Sequence, residues 1–164
     1  MRFTTEHRFE APPAAVAEVL VDPAFYRDLD LPDLARPEVL EATSAGGVAT
    51  VRLRFEFVGH LDPVARRLVG NRPLVWIQEL RLEEKPLEGA LRFFAEAAPS
   101  RLRGQGRFTL EAVEAGSRRR LEGELVVAVP VLGRAAEARI VPGVLARLDR
   151  EAEALRARLG SSAS

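Results

Sequence analysis

Residues 132–159 read LGRAAEARIVPGVLARLDREAEALRARL. Within this stretch Val141, Leu145, Leu148, Ala152, Leu155 and Leu159 are separated by four, three, four, three and four positions. Those steps put six side chains on one stripe of an α-helix. Arg147, Arg150 and Glu153 are expected on the opposite side, facing water. Pro142-Gly143 is expected to kink the helix or to divide a short helix from a long one. A helix of this kind must lay its stripe on another apolar surface.

The preceding sequence supplies that surface as strands. Phe3, Thr5, His7 and Phe9 alternate with Arg2, Thr4, Glu6 and Arg8, giving a strand with one covered and one wet face. Residues 48–58 repeat the pattern, with Val51, Leu53, Phe55 and Phe57 on one face and Arg52, Arg54 and Glu56 on the other. Further strands are expected over 37–44, 73–84, 90–97, 101–114 and 118–129. Ala45-Gly46-Gly47, residues 85–89 and Ala115-Gly116-Ser117 are read as turns. After the first strand, Pro12-Pro13 and Asp22-Pro23 open two short helices, proline at a first helical position losing no hydrogen bond. Asp62-Pro63 opens another within an insert over 59–71, and Gly70 ends it. Strands followed by a helix, without βαβ alternation, define an antiparallel α+β fold of about seven strands. Residues 1–160 form one domain in this reading, and 161–164 a disordered tail.

Composition narrows the function. Twenty-four basic residues balance 24 acidic ones, so no net field steers the chain to nucleic acid or to an anionic membrane surface. Lys85 is the only lysine, and there is no cysteine, which excludes disulfides, thiolate catalysis and thiolate metal sites. No apolar run approaches the roughly 18 residues of a membrane span. Arg2, Glu6 and Arg8 interrupt any secretory signal, so a cytoplasmic protein is expected.

The order β-α-α-β(×6)-α resembles the helix-grip fold of the START-like (SRPBCC) superfamily. The resemblance rests on Phe9-Glu10-Ala11-Pro12-Pro13 with Val16, Val19, Leu20, Asp22-Pro23 and Phe25-Tyr26 at the start. It rests also on Val129-Pro130-Val131-Leu132-Gly133 before the last helix. The chain is most similar to a branch found in high-GC bacteria. The resemblance implies a curved sheet wrapped around the C-terminal helix with a cavity between them. Members bind lipids, sterols, plant hormones or polyketides, and some catalyse cyclisation or aromatisation.

On that expectation Phe55, Phe57, Trp76 and Leu148 form the first wall of a ligand cavity, with Phe94 and Phe108 behind them. Each also suits a plain core position. Gln78 shares a strand face with Leu74, Trp76 and Leu80, and a buried amide needs a partner in protein, water or ligand. Tyr26, the sole tyrosine, is a second source of an orienting hydrogen bond. His7 reads as a buried neutral imidazole or a polar cavity group, and His60 as a surface residue. The histidine spacing fits no metal motif, so neither a metal nor a cofactor is expected. Gly104-Gln105-Gly106 lacks the third glycine of a dinucleotide fingerprint and is read as a bend or a close approach of the final helix. Arg101, Arg103, Arg107, Arg118, Arg119 and Arg120 are interspersed with glutamates and read as a solvated outer face.

Three functions follow. The leading one is carriage or sensing of a small hydrophobic molecule, lipid-like or polyketide-like, without catalytic residues. The second is an enzyme of the polyketide cyclase or aromatase type, with His7 or Tyr26 as proton carrier. The third is a module whose groove holds a partner protein, marked by an apolar patch near the insert.

Overall fold

The computed structural model describes residues 1–162. Seven antiparallel strands form one sheet: β1 Arg2–Phe9, β2 Glu38–Ala45, β3 Val48–Phe57, β4 Leu74–Glu84, β5 Leu87–Ala95, β6 Leu102–Val113 and β7 Gly116–Val127. Their spatial order is β1-β7-β6-β5-β4-β3-β2, so each strand from β2 to β7 neighbours its successor and β1 closes beside β7. Helices α1 (Pro13–Val21) and α2 (Pro23–Asp28) carry the chain from one edge of the sheet to the other. Helix α3 (Pro63–Val69) interrupts the β3–β4 connection, and α4 (Gly133–Ser162) ends the described chain.

The short helices start where side chains can take up free N–H groups. Asp22 accepts from Ala24 N at 2.9 Å, and Asp62 accepts from Val64 N and Ala65 N. Gly70 ends α3 at φ 64°, where a β-carbon would be strained.

Helix α4 lies against the inner face of the sheet, packing on β1, β7 and α1. Its buried side chains include Val141, Leu148, Ala152 and Leu155 of the expected stripe. Pro142 does not divide it: the helix runs unbroken from Gly133 to Ser162. Pro142, Gly143 and Ala138 are all exposed, so the carbonyl that proline deprives of a donor faces water. The helix also continues two residues into the expected tail, whose last two positions, 163 and 164, lie outside the described residues.

The turn before β5 is tighter than the sequence implied. Strand β5 begins at Leu87, opposite Glu84, leaving only Lys85-Pro86 in the turn. Gly89 thus belongs to the strand, and the reason is its partner. Phe108 on β6 lies opposite Gly89, and a β-carbon there would come within 2.1 Å of the phenyl ring. The same relation joins Phe93 to Gly104 and Phe3 to Gly123, both direct cross-strand pairs. Gly104 therefore accommodates a neighbouring ring, not the final helix.

Candidate functional site

The inner face of β3 and β4 carries the expected wall. Cross-strand pairing sets Phe57 opposite Leu74, Phe55 opposite Trp76 and Leu53 opposite Gln78. Phe55 is completely buried and stacks on Trp76, with centroids 5.4 Å apart and planes at 11°. Trp76, Phe57 and Leu74 are only partly buried. At this end α3 packs against α4, and none of its residues is fully buried. Val64 and Leu68 on α3 and Val144 and Leu145 on α4 are half-buried apolar side chains resting on the core. An open cavity of about 270 Å³ lies here, lined by Phe57, Val58, Gly59, Leu61, Arg66, Asn71, Arg72, Pro73 and Leu74.

Deeper along the same face stands a chain of polar groups. Arg147 Nη2 on α4 donates to Gln78 Oε1 at 2.8 Å, and its Nη1 donates to Glu151 Oε2 at 3.4 Å. Glu151 Oε1 accepts from Arg119 Nη1 on β7 at 3.0 Å. Arg119 Nη2 lies 3.2 Å from His7 Nδ1, and His7 Nε2 lies 2.8 Å from Asp149 Oδ1. An arginine can only donate, so Nδ1 accepts and Nε2 carries the hydrogen given to Asp149. The imidazole is neutral in this arrangement. Burial is the chief cause holding its pKa below 6.5; the Asp149 hydrogen bond opposes that, and the Arg119 charge adds to it.

Two arginines that the sequence assigns to water lie inside the protein. Arg147 does not face water: its side chain is 10% exposed and its guanidinium lies 5.3 Å from the ring centroid of Phe55. Burial lowers its pKa, with Glu151 opposing. Arg119 does not belong to a solvated face. It is 3% exposed and points inward beside Ser117 and Leu121, whereas Arg120 points out. Long arginine side chains reach the interior when carboxylates and amides meet them there.

The remaining candidates fall in different places. Gln78, 2% exposed, and Leu148, 1% exposed, are buried where sheet and helix meet. Phe108 is buried over Gly89, toward the opposite end of the sheet from Phe57. Phe94 does not join the expected wall: it pairs with Ile77 on the outer face, away from α4, because Phe93 takes the inward position. It lines a separate outer cavity of about 360 Å³ with Arg92, Pro99, Arg103 and Val126. Tyr26 is buried and donates its hydroxyl to Leu20 O at 2.8 Å. Burial pushes its pKa well above 10.0, and Glu151 adds to that. His60 is exposed. Among the described residues no helix is long and apolar enough to cross a membrane.

An antiparallel sheet curved over a long C-terminal helix, with two short helices after the first strand, defines the helix-grip class. Within that class the chain belongs to the DUF2505 family, described as proteins of unknown function, whose model matches residues 4–159. No curated protein matches the sequence. Solved structures similar to it include TTHA0849 from Thermus thermophilus, 17% identical over the whole of both chains with a TM-score of 0.68. Ara h 8.0201 is 14% identical over 98% of each chain, with a TM-score of 0.65. The di-domain ARO/CYC protein BexL from the BE-7585A biosynthetic pathway is 17% identical over 95% of this chain and 45% of its own, with a TM-score of 0.58. At these identities the likeness is one of fold.

Proposed function

We propose that this protein binds a small, largely apolar molecule between its sheet and α4, admitted at the end capped by α3. The carrying observation is that Phe57 and Leu74, the next inward pair along β3 and β4 from the stacked Phe55 and Trp76, are half-buried and line the cavity at the insert. A short helix without a fully buried residue is held weakly enough to move aside locally. The reading places the chain in the START-like superfamily, in a branch of high-GC bacteria, as a cytoplasmic carrier or sensor.

The cyclase reading receives less support. Its two proton carriers are engaged: both ring nitrogens of His7 have partners, and the Tyr26 hydroxyl is committed to Leu20 O. The partner-protein reading has, among the described residues, only Val58, 60% exposed, as a large apolar side chain at the insert, and single exposed residues of this kind are ordinary.

Native mass spectrometry of the protein purified from its own cells tests the proposal. A bound apolar mass that leaves on gentle activation is expected. An empty protein in which neither an alcohol nor a fatty acid perturbs Trp76 emission would overturn it.

A further inference from the structure

The buried members of the polar chain are unbalanced in charge. Arg119 and Arg147 are both cations, and among the described residues the one buried carboxylate that meets them, Glu151, is shared between them. Asp149 touches only the neutral imidazole of His7 and is 61% exposed on its side chain. Gln78, the best acceptor for Arg147, carries no charge. Buried charge without a counter-charge is costly, and a second anion would relieve it.

The two arginines differ in access. Arg119 is enclosed, 3% exposed on its side chain, and its Nε is buried without a hydrogen-bond partner. Arg147 makes the longer contact to Glu151, retains some exposure, and lies over Phe55 on the face that leads to the mouth. From Leu74 to Gln78 the inner face of β4 extends four residues, roughly 13 Å. Its order is half-buried leucine, tryptophan stacked on phenylalanine, then amide and guanidinium.

We infer that the ligand is an organic monoanion: an apolar body against Trp76 and Phe55, and a carboxylate on Arg147 beside Gln78. This rests on the binding reading above and adds the chemical class of the ligand. The apolar wall supplies affinity that a neutral molecule shares. A hydroxyl can accept a hydrogen bond from Arg147 as well, but only an anion adds an ion pair and a second buried negative charge beside the two guanidinium groups.

Trp76 is the only tryptophan, so its fluorescence reports this site directly. The test titrates the intact protein at pH 7.5 with decanoate and, separately, with decanol, whose chains match in length. The expected result is that decanoate binds about tenfold or more tightly than decanol. Arg147→Lys should keep that preference, and Arg147→Gln should abolish it, the two probes then binding equally. Equal affinities on the unaltered protein would overturn the inference and leave the carrier reading standing. Perturbation of Trp76 by neither compound would overturn both. The comparison of the two probes on the unaltered protein holds even if Arg147→Gln fails to fold.

Discussion

Arg147 on α4 and Gln78 on β4 are joined by a 2.8 Å hydrogen bond that ties the C-terminal helix to the middle of the sheet. Removing one partner strands the other. Gln78→Leu leaves a buried guanidinium short of an acceptor and should cost on the order of 1–3 kcal/mol in urea unfolding. Gln78→Leu combined with Arg147→Met removes both polar groups and should cost less than the two single changes added together. Strict additivity would show that the pair is not coupled.

Glu151 carries more of this interior than any other acid among the described residues. It is 4% exposed and meets Arg119 and Arg147 on its two oxygens. Glu151→Gln keeps the shape and deletes the charge, leaving two buried cations unmatched. A loss of about 3–5 kcal/mol is expected by urea denaturation. A loss below about 1 kcal/mol would mean that water neutralises the arginines without it.

His7 gives the fold a pH dependence of defined sign. Its pKa in the folded protein is lowered from 6.5, so the unfolded chain takes up a proton before the folded one does. Stability is therefore full above about pH 6.5 and falls as pH drops from there through the lowered folded value. Protonation must place a hydrogen on Nδ1, which faces the Arg119 guanidinium 3.2 Å away. Urea midpoints measured between pH 7.5 and 5 should decline, and His7→Gln should flatten that decline. The carboxylates with lowered pKa values, Glu96, Glu111 and Glu137, act at lower pH.

Most of the architecture was legible because it depends on periodicity. The alternation of Phe3 to Phe9 and Val51 to Phe57 names the inner face, and the leucine stripe names the helix that covers it. What the sequence hid was polar. Assigning arginine to water by residue type misplaced Arg119 and Arg147. For Arg119 the signal was present: it shares parity with Ser117, Leu121 and Leu125, all inward. For Arg147 the signal is fainter, since it borders the stripe and only its i, i+4 spacing to Glu151 marks an internal pair. Phe94 was misplaced against its own parity, which it shares with exposed Arg92. Gln78 was legible as a buried amide, but its partner lies 69 positions away and only the fold brings the two together.

The glycine–phenylalanine pairs make a packing prediction. Gly104→Ala would set a methyl group 2.0 Å from the Phe93 ring, which is 6% exposed and has little room to turn. Overpacking of this kind should cost about 1–3 kcal/mol. Adding Phe93→Leu should recover part of that loss. If Gly104→Ala is neutral in thermal unfolding, the ring does not lie across the glycine in solution.

Leu148 tests the stripe with which the fold begins. It is 1% exposed, on the same helix face as Val141, Ala152 and Leu155, while its neighbours Arg147 and Asp149 reach to Gln78 and His7 on either side. Truncation to alanine leaves a cavity that this face of α4 cannot close without shifting both polar contacts. Leu148→Ala should therefore cost roughly 2–5 kcal/mol in urea unfolding. A smaller loss accompanied by weaker decanoate binding would place Leu148 against the ligand instead of in the core. A change below ~1 kcal/mol with binding unaltered would mean that α4 does not grip the sheet along this stripe.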